Sequence, residues 1–120
     1  MTAYNAALAA VSQADYTSAT WTTYQLVVSA NVVTDQNSQS EVDAATLAIT
    51  TAQGALVHIA NMVAYNTALG AVVEADYTTA SWSTYQVVVL ANVVTDQDTQ
   101  GAVDTATSNI TAAQGALVHI

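Results

Sequence analysis

The chain repeats itself with a period of 61 residues. Aligned without a gap, residues 1–59 are identical to residues 62–120 at 41 of 59 positions. A period of this length is typical of proteins in which each repeat is one supersecondary unit that packs on its neighbour. The sequence therefore predicts two similar domains, residues 1–59 and residues 60–120, and it favours a structural role such as a rod or a spacer.

The chain carries almost no positive charge. It contains no Lys, Arg, Cys, Pro or Phe, and nine carboxylates give it a formal net charge of −9 at pH 7. Binding to nucleic acid or to anionic lipid headgroups depends on basic side chains, so we discard nucleic-acid and membrane partners. No apolar run approaches the roughly 18 residues that a membrane-spanning helix needs.

The lack of Lys and Arg also removes every bond that trypsin-like proteases cut. This property suits an extracellular setting that is rich in proteases. A biased genome or deliberate design would produce the same composition, so the composition alone leaves these origins open.

Each repeat divides into three segments with helical spacing of apolar residues. The first runs from about Thr2 to Ser12, and its apolar residues recur at i, i+4 and i+7 as on one helical face. The second begins after Thr17, a suitable N-cap. The third follows Ser38, and Glu41 lies three residues later, which is the spacing of a capping box.

The second repeat keeps this plan, with one difference at the third segment. Thr78 and Thr99 stand at the two N-cap positions, but Ala102 replaces the glutamate. We therefore expect Thr99 to cap its helix by its own hydroxyl, with only half of the capping box present.

The third segment has no clear end in the sequence. Its apolar residues alternate steps of three and four from Val42 to Val63, and between Gln53 and Asn66 there is one Gly and no Pro. We therefore expect one helix from about Gln39 to Val73, roughly 50 Å long at about 1.5 Å per residue. The sequence thus predicts an all-α fold of two tandem three-helix bundles, joined end to end through a shared long helix.

Local propensity alone also permits an all-β fold. Runs such as Tyr85–Val89 and the many Thr residues favour strands. However, apolar residues do not alternate strictly with polar ones, and the chain lacks the turn signals that a sandwich or barrel shows about every 8–12 residues. We keep the helical interpretation, with Trp21 and Trp82 as the large anchors of two small cores otherwise filled by Ala and Val.

Two short motifs occur in both repeats at the expected starts of the second and third helices. These are Asp15–Trp21 with its copy Tyr77–Trp82, and Ser38–Ala45 with its copy Thr99–Asp104. They resemble the YT-x-x-SW and TQ-x-EVD-x-A motifs of FIVAR repeats ("found in various architectures"). The resemblance covers nearly all of both repeats. It implies three-helix modules strung along bacterial cell-wall and secreted proteins, and its motifs carry no catalytic residue.

Few residues qualify as candidates for a chemical role. His58 and His119 are copies of one position, and a metal site would need further donors near them, so we interpret them as partly exposed helix residues. Asp96–Asp98 is similar to a fragment of a calcium loop but lacks the Gly and distal Glu of an EF-hand, which favours a helix-capping turn. Asp15 and Asp76 precede the second helices, where a carboxylate interacts favourably with the helix dipole.

Nucleophilic catalysis is not indicated either. A Ser–His–acid set would have to be built from side chains whose usual places are helix caps and solvated faces. We therefore predict that the protein is not an enzyme and has no catalytic, cofactor-binding or metal-binding residues.

The expected function is a non-catalytic spacer or stalk repeat of a bacterial cell-surface or secreted protein. It would lie outside the cell, at the surface or in the wall, with neighbouring repeats of the same array as its partners. One alternative is an adhesin-type module that binds a host or matrix protein. Another is a homo-oligomer or filament, because the uncovered ends of a repeat array are apolar. An engineered scaffold would fit the same pattern.

Acid should promote association of this chain rather than its unfolding. Carboxylates are its only strong charges, so lowering the pH towards about 4 removes self-repulsion. Light scattering should then rise while the far-ultraviolet circular dichroism keeps its helical signal. Loss of that signal from a chain that stays monomeric would contradict the inference.

Overall fold

The computed structural model describes the whole chain, Met1–Ile120, and it contains helices and no β-strand. Contacts divide it into two compact units, Met1–His58 (unit 1) and Ile59–Ile120 (unit 2). The expected all-α class is confirmed, and the all-β alternative is wrong. The helices are α1 (Thr2–Ala9), α2 (Ser18–Ala30) and α3 (Gln39–Gln53) in unit 1, and α4 (Val63–Leu69), α5 (Thr79–Ala91) and α6 (Gln100–Gln114) in unit 2.

The helix starts follow the capping chemistry of the sequence. Thr17 Oγ1 accepts a hydrogen bond from the Thr20 N–H at the start of α2. At the start of α3, Ser38 Oγ accepts from the Glu41 N–H at 3.2 Å, and Glu41 Oε2 accepts from the Ser38 N–H at 3.0 Å. The predicted capping box is therefore confirmed, because each partner satisfies a backbone donor of the other.

The start of α6 shows the predicted half of that box. Thr99 Oγ1 accepts from the Ala102 N–H at 3.1 Å. Because Ala102 has no carboxylate, no side chain at this position returns a bond to Thr99. The two units therefore differ in helix capping although their helices have the same lengths at this point.

A small core lies where the third helix of each unit packs against the other two helices. In unit 1, α3 contacts both α1 and α2, and in unit 2, α6 contacts α4 and α5. Ile49 and Ile110 are the central side chains, since both are fully buried. The other buried members are Tyr4, Ala7, Tyr24, Val42 and Ala45 in unit 1, and Ala60, Tyr65, Tyr85, Val103 and Ala106 in unit 2.

The tryptophans do not anchor these cores as expected. Trp21 and Trp82 are only partly buried and pack against the edge of the core. Tyrosines take the interior positions because their hydroxyls reach hydrogen-bond partners there. In unit 1 the Tyr4 hydroxyl donates to the Asn31 carbonyl oxygen at 3.1 Å, and the Tyr24 hydroxyl accepts from Gln53 Nε2 at 3.0 Å.

The expected shared helix from Gln39 to Val73 is wrong. Helix α3 ends at Gln53, and α4 begins only at Val63. After Gly54, the N–H groups of Ala55 and Leu56 donate to carbonyls three residues earlier in the chain, as in a tightened final turn. Val63, the last residue of the apolar pattern that suggested continuation, is 70% exposed.

The backbone groups that a continuous helix would use are bonded elsewhere. The Val57 carbonyl accepts from the Thr17 N–H at 2.8 Å, and the Val57 N–H donates to Thr20 Oγ1 at 3.2 Å. The Ala60 N–H donates to the Asp96 carbonyl at 2.8 Å. Because each residue has one backbone donor, these tertiary bonds replace helical ones and end the helix.

None of the six helices combines the length and the hydropathy that crossing a bilayer requires.

Replacing the central isoleucine should destabilise its unit strongly. Ile49→Ala leaves a cavity in a fully buried position, so we expect a loss of about 2–5 kcal/mol in the free energy of unfolding of unit 1. The fluorescence of Trp21, in a chain that also carries Trp82→Phe, reports this unit during denaturant unfolding. Leu47→Ala on the same helix is the control, because Leu47 is 68% exposed and should cost less than about 0.5 kcal/mol. Equal losses for the two variants would contradict the assigned core.

Candidate functional site

The last residues of unit 1 return to the start of α2 in an extended conformation. Tyr16 and His58 form an isolated antiparallel bridge beside the hydrogen bond between the Thr17 N–H and the Val57 carbonyl. Thr17 is buried, with 6% of its surface exposed. The residues around His58 therefore form a polar and aromatic cluster outside the core of the unit.

Aromatic rings lie in a row at this closure. The His58 imidazole stacks on the Tyr16 ring with 4.6 Å between centroids, and the Tyr16 ring stacks on Trp21 at 6.2 Å. Trp21 then contacts the buried Tyr24 ring at 5.1 Å. Contacts of this kind between aromatic rings are favourable beyond the area they bury. The row links the exposed imidazole to the core of the unit.

His58 is an exposed residue of the bridge and not a residue of a helix, so this part of the sequence interpretation is wrong. The physical reason is the end of α3 at Gln53, which frees the following residues to pair with α2. His58 Nδ1 lies 3.2 Å from the Asp15 carbonyl oxygen. Because a carbonyl can only accept, Nδ1 is the protonated nitrogen in this contact.

Unit 2 builds the same arrangement from the copies of these residues. The Thr78 N–H donates to the Val118 carbonyl at 2.8 Å, and His119 lies 4.5 Å from the Tyr77 ring. Tyr77 stacks on Trp82 at 6.1 Å. Each imidazole therefore packs as one member of an aromatic row. No group of three His, Cys, Asp or Glu side chains that could hold a metal ion occurs in the chain.

The calcium-like segment Asp96–Asp98 forms a turn before α6. Asp98 Oδ2 accepts from the Thr95 N–H at 2.8 Å, and in unit 1 Asn37 Oδ1 accepts from the Thr34 N–H at the same distance. An amide serves in one unit where a carboxylate serves in the other. The shared task is therefore to close the turn, which needs one acceptor oxygen and no cation.

Asp15 and Asp76 end short 3-10 turns, Gln13–Asp15 and Glu74–Asp76, ahead of the second helices. Their side chains are exposed. Their backbone carbonyls make the contacts that shape the closure, because Asp15 accepts from His58 and Asp76 accepts from the Ile120 N–H at 3.2 Å. The favourable interaction with the helix dipole stays a prediction.

A shallow groove runs between the second and third helices of each unit. Its volume is about 380 Å³ in unit 1 and about 240 Å³ in unit 2. Alanine and valine side chains, threonine or serine hydroxyls and the ring of the core tyrosine form both linings. These neutral surfaces offer apolar contact and single hydroxyl hydrogen bonds, and no charged side chain lines either groove.

The Glu41 carboxylate is more acidic than a free glutamate side chain. Hydrogen bonds lower the pKa of Glu41 below its usual value, and the largest contribution comes from Asn37 Nδ2, 3.1 Å from Oε2, followed by the Ser38 N–H. These donors favour the charged carboxylate because they bond to it. The shift therefore belongs to the capping box, which is a structural element.

One glutamine in each unit connects its three helices, and neither was predicted from the sequence. Gln53 Nε2 donates to the Ala7 carbonyl at 2.7 Å as well as to Tyr24, so it joins all three helices of unit 1. Gln114 makes the equivalent bonds to Ala68 and Tyr85 in unit 2. The sequence did contain a signal for these glutamines. The same polar residue occurs in both repeats, at a position where the apolar face of the third helix continues.

Comparison of the chain with models of protein families, with curated proteins and with solved structures gives no match.

Acid should weaken unit 1 through its capping box. The pKa of Glu41 is lowered in the folded state, so its stabilisation is complete above the unfolded value near 4.5 and is lost as the pH falls through the folded pKa. Glu41→Ala should therefore make the stability of unit 1 less sensitive to pH in this range. Unfolding followed by Trp21 fluorescence at several pH values measures the effect.

The reciprocal control transfers the box to unit 2. Ala102→Glu together with Asp98→Asn supplies the carboxylate and its amide donor, and unit 2 should gain the acid sensitivity that unit 1 loses. Asp98→Asn is included because a carboxylate beside the new one would repel it. An unchanged pH profile in both variants would show that the box carries no proton-linked stability.

Proposed function

We propose that this protein is a non-enzymatic spacer of the FIVAR kind, in which each unit is a three-helix bundle within an array on a bacterial cell-surface or secreted protein. One observation carries the proposal. Of the 59 aligned positions, 18 differ between the repeats; none of these is buried in either unit, and 16 are exposed in both. The differences therefore avoid every buried position.

The shared residues maintain the fold. The same hydrogen bonds recur 61 residues apart, since the Tyr4 hydroxyl bonds to the Asn31 carbonyl and the Tyr65 hydroxyl bonds to the Asn92 carbonyl. The glutamine bonds and the closure of each unit recur in the same way. This pattern supports a spacer, because each unit of an array must keep its own fold.

The large apolar residues at exposed positions that differ between the repeats do not form a surface that both units share. Leu47 is 68% exposed in unit 1, where unit 2 has Ser108, and Leu90 is 73% exposed in unit 2, where unit 1 has Ser29. These side chains occupy different repeat positions. These two leucines therefore form no repeated ligand-binding face, which supports a spacer.

The partners in this proposal are neighbouring repeats, and the place of action is outside the cell. The absence of Lys and Arg supports the location, because it leaves no bond for trypsin-like proteases to cut. The acidic surface supports solubility of long arrays through mutual repulsion.

Small-angle X-ray scattering on arrays of two, four and six units tests the spacer role. The maximum dimension should increase by a constant amount for each added pair of units, as quasi-one-dimensional repeat proteins do. Growth with the cube root of the number of units would contradict the proposal. Light scattering across protein concentrations distinguishes a monomeric spacer from a filament subunit.

A further inference from the structure

The first residues of unit 2 lie against the turn before α6. The Ala60 N–H donates to the Asp96 carbonyl at 2.8 Å, and the Asn61 N–H donates to Gln100 Oε1 at 2.7 Å. Gln100 Nε2 also lies 3.3 Å from the Asn61 carbonyl, to which it donates. The Gln100 amide therefore holds both backbone groups of Asn61, much as a neighbouring strand would.

This short segment also completes the unit it touches. Ala60 is only 5% exposed and belongs to the core cluster of unit 2. Asn61 Oδ1 accepts from the Val63 N–H at 2.9 Å and so satisfies a free donor at the start of α4. One dipeptide thus covers the edge of the core and caps a helix.

Unit 1 has the same receiving groups at the equivalent repeat positions. Asp35 corresponds to Asp96, and Gln39 corresponds to Gln100. Gln39 Nε2 donates to Asp43 Oδ1 at 2.8 Å, as Gln100 Nε2 donates to Asp104 Oδ1 at 2.9 Å. This shared bond orients the two amides alike, so Gln39 Oε1 can accept a backbone N–H as Gln100 Oε1 does.

The burial of the two aspartates reflects the presence of the segment in unit 2. Asp96 is half-buried, whereas Asp35 is exposed. The neighbouring positions 37/98, 38/99, 40/101 and 41/102 differ between the repeats, but the core beside the site is the same, with Tyr4 and Val42 in unit 1 where unit 2 has Tyr65 and Val103. The receiving surface of unit 1 is therefore built like that of unit 2 but is less covered.

We propose that the Asp35 carbonyl, the Gln39 amide and the adjoining edge of the core form a docking site for the two residues that join a preceding repeat to Met1, as Ala60–Asn61 lead to Met62. The inference rests on the proposed array. The occupant is an extended dipeptide joined to Met1, with a small first residue and an Asn second, as in Ala60–Asn61. The first side chain must be small because its counterpart is buried, and a larger one would overpack the core edge. The second must carry an acceptor to cap α1.

Adding the segment to unit 1 tests the proposal in the full chain. A version with Ile-Ala-Asn placed directly before Met1 copies residues 59–61 at the equivalent position. The two added backbone bonds and the cap should raise the folded-to-unfolded ratio of unit 1 by about tenfold. Trp21 fluorescence during denaturant unfolding, in chains that also carry Trp82→Phe, measures this ratio.

Gln39→Ala provides the matched control in both chains. In the extended chain it should remove most of the gain, and in the original chain it should change the ratio by less than about threefold, as exposed substitutions do. In unit 2, Gln100→Ala should lower the ratio by about tenfold, because that amide holds Asn61. Unit 2 is followed by Trp82 fluorescence in a Trp21→Phe chain.

Two results would overturn the docking site. The extension could leave the ratio unchanged, or it could raise it equally with and without Gln39, which would show a general effect of a longer chain. Neither result bears on the scattering of the arrays, so the spacer role and the docking site fail independently.

Discussion

The hydrogen bond between the Thr17 N–H and the Val57 carbonyl sets the plan of unit 1. It joins the end of the unit to the start of α2, and it uses the carbonyl that a continuing α3 would need for its own ladder. The Thr20 hydroxyl accepts from the Val57 N–H and so removes a second helical bond. Because of these two bonds, α3 ends at Gln53, His58 comes to lie on Tyr16, and the unit closes before the next one begins. The bond between Thr78 and Val118 does the same in unit 2.

Polar side chains, rather than large apolar ones, join the helices inside each unit. The cores contain Ala, Val and one central Ile, which offer limited apolar surface, so buried tyrosines and a glutamine contribute much of the specificity. Gln53 donates to an acceptor on α1 and to another on α2. No buried side-chain polar atom lacks a hydrogen-bond partner, so this polar interior carries no desolvation penalty from unpaired groups. Salt bridges have no part in it, because the chain has no Lys or Arg.

Several features could be predicted because they depend on neighbours in sequence. The N-caps at Thr17 and Ser38, the capping box at Glu41 and its reduced form at Thr99 follow from bonds that span three residues. The candidate functional residues differ in whether their partners are close in the sequence. The turn of Asp96–Asp98 is closed by a side chain within three residues, as a capping turn should be. The surroundings of His58 depend on Asp15 and Tyr16, which lie more than 40 residues away, and no local pattern indicates them.

The sequence by itself determined that the chain is helical, that it is built twice, and where four of its helices begin. These properties depend on periodicity, on repetition and on local capping bonds, all of which can be read from residues close together in the chain. Only the tertiary structure decided where the third helices end and which residues fill the cores. From Leu56 to Asn61 the local pattern permits a helix, but the backbone groups find partners in distant residues, Thr17 and Thr20 in unit 1 and Asp96 and Gln100 in unit 2. Helical propensity is a small free energy per residue, and a few tertiary hydrogen bonds together with the burial of Ala60 outweigh it.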